Sequence, residues 1–208
     1  VYDLPIVVVV NPKLLPDVTD LKGLIANAKA QKTPLNYTSS GAGSFGHLSM
    51  ELLKQMAGFD MQHIPYKGGV PAITDTIGGQ VPIMYADLVA ALPHIKAGKL
   101  RAIAVSSDKR VPQLPDVPTM KESGIKGLEN FTFATYTGLF GPAKMPPDVL
   151  AKLSAAMKTV LNDPAVVQRF ADLTAETSWS TPQALAAMLD QEERTVVPLV
   201  KKLGIKAE

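Results

Sequence analysis

Three short segments of this sequence combine glycines or charged groups with small polar side chains. The candidate ligand-binding residues in them are Ser39, Ser40, Gly41, Gly43, Ser44, His47, Tyr66, Lys67, Gly68 and Asp87. Glycines let a backbone approach an anion closely, and N–H groups at a helix N-terminus favour negative charge. We therefore predict that backbone amides of the first segment face a cleft and hold a carboxylate or phosphate.

Several of these residues also allow a purely structural interpretation. Ser44 could only cap the helix that follows it, and His47 could pack instead of hydrogen-bonding within a site. Lys67 could add a positive charge or be a solvated turn residue. Asp87 could accept from an amine or hydroxyl of the ligand, or from a bound water, or could cap the next helix.

The spacing Gly41-x-Gly43-x-x-Gly46 between a predicted strand and helix also fits a dinucleotide-binding fingerprint. That fingerprint places an acid about 20 residues further on, where it holds the ribose. Tyr66 and Lys67 occupy this place, and a basic residue there could serve a 2′-phosphate. An NADP-type dinucleotide-binding enzyme domain therefore stays an alternative.

Catalytic and metal-binding patterns fit poorly. Ser44 lacks the G-x-S-x-G context of a nucleophile, and His47, three residues later, is not the separated base that a triad uses. The histidines His47, His63 and His94 fall on different predicted elements without ligand spacing, and the chain has no cysteine. We predict no enzyme, no metal and no cofactor.

Strands and amphipathic helices alternate through the first half of the chain. Strands are predicted at residues 6–10, 35–38, 62–66, 81–86 and 101–105. The helix after Ser44 has an apolar stripe and is predicted to end at Gly58. This alternation indicates βαβ units with a parallel sheet, and such sheets bind ligands at the carboxyl ends of their strands.

The second half begins with a proline-rich connector at residues 111–118, which we interpret as a crossing. A strand run and two separate C-terminal helices are predicted at residues 131–140, 181–195 and 196–203. The strands at 6–10 and 131–140 have few partners of their own. This predicts a second α/β domain that begins before Val1.

Charge and hydropathy exclude several partners. The formal charge is +2, from 21 basic and 19 acidic residues without a run of either sign, which argues against nucleic acid. The longest apolar stretch, Ile6 to Val10, is far shorter than the roughly 20 residues of a membrane-spanning helix. The first residues also lack the basic and apolar regions of a signal peptide.

Several motifs in order along the chain match a known family. They are residues 36–44 with His47-Leu48, 64–69 with Pro71-Ala72, 91–95, 97–101 and 114–119. Together these runs resemble the receptors of tripartite tricarboxylate transporters, the Bug family, across essentially the whole chain. Family members often carry an acid directly after the aromatic residue of the third strand, whereas here Ala86 lies between Tyr85 and Asp87.

The resemblance implies a periplasmic receptor that captures a small carboxylate and delivers it to the permease subunits of its transporter. The ligand would be a mono-, di- or tricarboxylate, an acidic amino acid or an aromatic carboxylate. The implied fold is a type 2 periplasmic-binding-protein-like α/β fold, with two lobes joined by crossing strands. Residues 12–126 would form the second lobe, and residues 1–11 and 127–208 the remainder of an incomplete first lobe. An effector-binding module of a regulator is a further alternative, because two-lobe folds serve there too.

Overall fold

The computed structural model describes residues 2–129, 131, 135–172 and 175–204 of this mixed α/β chain. The strands are β1 Tyr2–Leu4, β2 Ile6–Val10, β3 Leu35–Ser39, β4 Met61–Pro65, β5 Ile83–Asp87, β6 Arg101–Val105, β7 Thr135–Thr137 and β8 Glu176–Thr177. The helices are α1 Leu21–Ala30, α2 Phe45–Ala57, α3 Gly69–Gly78, α4 Leu88–Lys96, α5 Pro147–Leu161, α6 Pro164–Asp172 and α7 Pro182–Leu203, with a 3₁₀ turn at Lys121–Ser123. Among these described helices, none has the length and apolar character needed to cross a membrane.

The chain divides into two compact units. The smaller comprises Val1–Leu4 and Thr135–Pro198, and the larger comprises Pro5–Ala134 and Leu199–Glu208. The larger unit thus begins at Pro5, before the predicted lobe boundary at residue 12. The lobe boundaries themselves stay a prediction.

The larger unit is built on a five-stranded sheet of order β4-β3-β5-β2-β6. Strand β3 runs parallel to β4 and β5, as predicted. Strand β2 is antiparallel to both of its neighbours, so the sheet is mixed, while its other four strands share one direction. The reason is that no crossover helix leads from a preceding strand into β2, so the rule that makes βαβ strands parallel does not fix its direction.

The core of the larger unit lies on both faces of this sheet. Every residue of β2 is at most 1% exposed, which confirms the prediction of a strand buried on both faces. Helix α2 ends where predicted, because Gly58 adopts a left-handed conformation and its N–H donates to the Lys54 carbonyl. Helix and strand boundaries in this unit therefore follow local sequence signals closely.

The smaller unit contains a three-stranded antiparallel sheet of order β7-β1-β8 with helices α5 and α6. Of the run predicted at 131–140, residues 135–137 form β7, while residues 132–134 lie outside the described part. Helix α7 is continuous through Pro198, so the prediction of two separate helices is wrong. A proline removes one N–H donor and strains the preceding turn, and Val196 and Val197 beside it are poor helix formers. The good helix formers at residues 183–189 and 191–194 nevertheless carry this 22-residue helix through Pro198.

Candidate functional site

The predicted ligand segments come together at one edge of the larger sheet. They follow β3, β4 and β5, which are neighbours and run parallel, so their carboxyl ends meet at that edge. We call residues 39–44 the glycine loop. The Gly68 N–H donates to the Ser40 carbonyl at 2.9 Å, which ties the glycine loop to the segment after β4. The structure thus assembles the first two segments into one surface and brings Asp87 to the same edge.

Many of the loop amides are already used inside the loop. The Gly43 N–H donates to His47 Nδ1 at 3.0 Å, and the Ser44 N–H donates to the Gly41 carbonyl at 3.2 Å. The Gly41 N–H makes a longer contact of 3.4 Å with Ser39 Oγ. These three amides therefore have partners within the turn itself, two of them side chains of β3 and α2 and one the Gly41 carbonyl. That they face a ligand stays a prediction.

Two donors of the glycine loop stay available. Within the described part of the chain, the Ala42 amide and the Ser40 hydroxyl have no hydrogen-bond partner, and Ala42 is exposed. Both precede the N-terminus of the 13-residue helix α2, whose dipole favours an anion there. An anion at this edge would therefore be bound by these two groups.

Ser39, Ser44 and two histidines form a polar cluster beneath the loop. Ser44 Oγ donates to Ser39 Oγ at 3.0 Å and also accepts the His47 N–H at 3.3 Å, which caps α2. Ser39 Oγ lies 2.8 Å from His63 Nε2. The imidazoles of His47 and His63 stack with centroids 3.8 Å apart and 10° between their planes. These side chains support the loop, and His63 is a member that the sequence-based prediction missed.

Both histidines are neutral at neutral pH. Burial lowers the pKa of His47. The carboxylate of Glu51 raises this pKa and so opposes burial, whereas the ammonium of Lys54 lowers it further. Burial, then the neighbouring His47 and Lys54, lower the pKa of His63 to about 3. Because His47 Nδ1 accepts from Gly43, the neutral ring carries its proton on Nε2.

A buried polar network lies behind the histidine pair. The Tyr37 hydroxyl donates to Glu51 Oε1 at 2.7 Å, and Lys54 Nζ lies 2.7 Å from the same oxygen. Lys54 also donates to the Met61 carbonyl at 2.7 Å. Burial and the hydrogen bond to Glu51 raise the pKa of Tyr37. The buried carboxylate is therefore paired, and this network holds α2 against β3 and β4.

The remaining predicted residues differ in whether their side chains already have a hydrogen-bond or ion-pair partner. The Tyr66 hydroxyl donates to Asp75 Oδ2 at 2.7 Å, so that hydroxyl already has a partner. The Lys67 ammonium is exposed and has no ion pair among the described residues. Asp87 occupies the N-cap position of α4, but its carboxylate makes no capping hydrogen bond, so the capping interpretation is wrong. Although its side chain keeps contact with solvent, partial burial raises the pKa of the Asp87 carboxyl.

The glycine fingerprint has a packing explanation. A Cβ on Gly46 would lie 2.6 Å from the Tyr85 carbonyl oxygen, so glycine is needed where α2 crosses β5. Gly43 has a φ of 72°, in the left-handed region. These two glycines therefore follow from the geometry of the turn, whether or not a dinucleotide binds.

This sheet, its mixed strand directions and the loops gathered at one edge are those of a periplasmic solute-binding protein. The sequence matches the tripartite tricarboxylate transporter family receptor over residues 1–205, and the chain belongs to this family. A curated relative, protein BugT of Bordetella pertussis, is 34% identical over 206 residues, which are 99% of this chain and 62% of BugT.

Solved structures agree with this assignment. An R. palustris protein solved with adipate has a TM-score of 0.81 and 29% identity, and the match covers 99% of this chain and 67% of that one. MatC from Rhodopseudomonas palustris with bound malate has a TM-score of 0.72 and 30% identity, covering 92% of this chain and 64% of that one. The chain spans 62% of BugT and 55% of a Pseudomonas relative, so it corresponds to part of these longer proteins.

Proposed function

We propose that this chain is the ligand-binding part of a receptor that captures a small carboxylate and delivers it to the permease subunits of a tripartite transporter. The observation that carries the proposal is the pair of unpaired donors, the Ala42 N–H and the Ser40 hydroxyl, at the N-terminus of α2. Relatives solved with adipate and malate support the ligand class. The family itself is a transport receptor family, which favours capture over chemistry.

The donors suit a carboxylate for a physical reason. A hydrogen bond to a charged acceptor contributes about 1.5 to 3 kcal/mol, roughly twice that of a neutral pair. The helix dipole adds about 0.3 to 1 kcal/mol for an anion in the first turn. Lys67, on the segment tied to Ser40 by Gly68, supplies a positive charge at the same edge.

Asp87 should make the proposed site prefer some carboxylates over others. Its carboxylate makes no capping hydrogen bond, and Asp87 is the last residue of β5, next to the strand that leads into the glycine loop. An ionised Asp87 would repel a second ligand carboxylate, whereas it would accept a hydrogen bond from a hydroxyl or ammonium group. We therefore expect hydroxy or amino acids to bind more tightly than unsubstituted acids of the same length.

Calorimetry and thermal unfolding of the whole protein that contains this chain test the proposal. The ligand panel should include malate, adipate, succinate, aspartate and NADP. A true ligand at 100 times its Kd should stabilise the protein by about 2.7 kcal/mol. Lys67→Met should weaken binding, while Lys99→Met, at an exposed lysine after α4, serves as the matched control. Binding of NADP without any carboxylate would overturn the proposal.

A further inference from the structure

The contact between His47 and Gly43 sets the shape of the glycine loop. Nδ1 of His47 accepts the Gly43 N–H at 3.0 Å, across four residues and at the point where Gly43 has a left-handed φ of 72°. His47 is only 8% exposed. Its ring therefore lies under the loop and holds Gly43 from below, while Ala42, the neighbouring residue, is exposed.

A second contact holds the ring itself. His63 on β4 stacks on His47 at 3.8 Å between centroids, and its Nε2 lies 2.8 Å from Ser39 Oγ at the end of β3. Ser39 Oγ in turn accepts from Ser44 Oγ at 3.0 Å. Ser39 and Gly43 are thus each bonded to one of the two stacked imidazoles, and Ser44 is connected to them through Ser39.

The charged and titratable groups around this pair leave both rings neutral. Glu51 and Lys54 lie on α2 and form an ion pair at 2.7 Å, and their effects on the pKa of His47 oppose each other. On His63, burial, His47 and Lys54 all lower the pKa. Tyr37 on β3 approaches His63 with ring centroids 4.9 Å apart, and its hydroxyl is engaged by Glu51. The acceptor lone pair on His47 Nδ1 is therefore available to Gly43 at neutral pH.

We propose that His47 is a positioning residue, which fixes the glycine loop through Gly43 so that the Ala42 amide and Ser40 hydroxyl can bind a carboxylate. This inference rests on the proposed function and deepens it. His47 itself does not contact the ligand. His63 is a second positioning residue, which orients the His47 ring by stacking and by its contact with Ser39.

The role has a clear chemical signature. When His47 Nδ1 gains a proton, the acceptor becomes a donor that faces the Gly43 N–H at the same short distance. The two donors repel each other, so Gly43 must move, and Ala42 moves with it. Carboxylate affinity should consequently fall on acidification beyond what protonation of the ligand explains.

Matched substitutions of His47 test this signature in the whole protein, with malate and adipate as probes. In His47→Asn, Oδ1 takes the place of Nδ1 and cannot be protonated, so affinity at pH 7 should stay within about threefold of the wild type. His47→Leu removes the acceptor and should weaken binding by about tenfold or more. The control is His94→Asn on α4, which should match the wild type at every pH.

The pH dependence of Kd then tests whether His47 positions the glycine loop. Across the pH range in which the His47 ring titrates, the wild type should lose at least about fivefold more affinity than His47→Asn, and ligand protonation cancels in this comparison. Equal profiles for the two proteins would overturn the proposal. It would also fail if His47→Asn bound as weakly as His47→Leu at pH 7, because a substituted acceptor would then not restore the loop.

A ligand-free measurement separates this inference from the proposed function. In the nuclear magnetic resonance spectrum of the unliganded protein, the Gly43 amide signal should shift in step with the titration of the His47 ring. A Gly43 signal that stays fixed while His47 titrates would overturn the positioning role. Failure of malate and adipate to bind at pH 7, with a coupled Gly43 signal, would instead count against the proposed ligand class.

Discussion

At the scale of single residues, some hydrogen-bond donors of the glycine loop stabilise the fold, and others have no protein partner in the described part of the chain and are available to a ligand. Ser44 Oγ caps α2 and bonds to Ser39, whereas the Ser40 hydroxyl has no partner among the described residues. We therefore expect Ser40→Ala to weaken carboxylate binding by about tenfold with little change in stability. Ser44→Ala should lower the free energy of unfolding by about 1 kcal/mol, because a cap is lost.

Calorimetry and urea unfolding on the two serine variants would distinguish these effects. Equal losses of stability in Ser40→Ala and Ser44→Ala would mean that both serines are structural. In that case the anion would have to be held by backbone amides alone.

A second residue-scale prediction concerns buried hydroxyls that lack partners. The side-chain oxygens of Ser49, Tyr85 and Ser106 are buried without a hydrogen bond in the described structure. Burial raises the pKa of Tyr85, and the hydroxyls of Ser106 and Ser49, which approach it without good hydrogen-bond geometry, lower it by less. An unsatisfied buried hydroxyl is costly, so Tyr85→Phe should leave stability unchanged or raise it by up to about 1 kcal/mol.

Tyr37→Phe is the matched control for Tyr85→Phe. It removes a buried hydroxyl that donates to Glu51 at 2.7 Å, so it should destabilise by about 1 to 2 kcal/mol. Chemical unfolding of both variants measures the difference. A larger loss for Tyr85→Phe than for Tyr37→Phe would show that the Tyr85 hydroxyl is hydrogen-bonded in solution.

At the scale of secondary-structure elements, α2 and β5 approach too closely for any side chain at their crossing. A Cβ on Gly46 would lie 2.6 Å from the Tyr85 carbonyl oxygen, and backbone cannot give way as a flexible side chain can. Gly46→Ala should therefore destabilise by about 2 kcal/mol, because overpacking forces the helix away from the strand. It should also weaken ligand binding, since the glycine loop precedes this helix.

Gly69→Ala provides the control for Gly46→Ala. Gly69 begins α3, and no atom of the described residues lies within 4 Å of its Cβ position, so the substitution should be neutral or stabilise slightly. Thermal unfolding of the two variants makes the comparison. If Gly46→Ala were as stable as Gly69→Ala, the close crossing of α2 and β5 would be wrong.

Elements with strong local signals could be predicted from sequence, and those set by distant partners could not. The β-branched run of β2 and the Gly58 stop of α2 need only neighbouring residues. The direction of β2 depends on β5 and β6, which lie more than 70 residues away in sequence. The continuity of α7 could not be predicted, because the good helix formers at residues 183–189 and the poor ones beside Pro198 give opposite local signals.

The same division between local signals and distant partners applies to the candidate site. Sequence predicted that these turns meet at one edge of the sheet, and they do, because turns that follow neighbouring parallel strands lie at the same edge. That a ligand binds at this edge stays a prediction. It did not identify which amides are free, because the acceptors are His47 and Ser39, whose orientations depend on packing. His63 escaped notice since a single histidine in a strand carries no distinctive spacing.

At the scale of the whole molecule, the buried histidines should make folding stability depend on pH. Both have a lowered pKa in the folded chain, and His63 falls from 6.5 to about 3. The unfolded chain therefore binds more protons than the folded chain between these two pH values. The contribution of the neutral histidines to the free energy of unfolding is fully present above pH 6.5 and is lost as the pH falls. Asp87, whose pKa is raised, acts in the opposite direction, but it is a partly solvated group.

We expect the larger unit to lose about 2 kcal/mol of stability between pH 7 and pH 4.5. Because the chain has two units, the measurement should be local, and hydrogen exchange of the fully buried strand β2 reports on the larger one. His63→Gln keeps a polar group near Ser39 but cannot be protonated, so its stability should fall less over this range. If strand β2 lost protection from hydrogen exchange equally in the variant and the wild type on acidification, groups other than His63 would govern the pH dependence. The stacked histidine pair would then contribute nothing measurable to it.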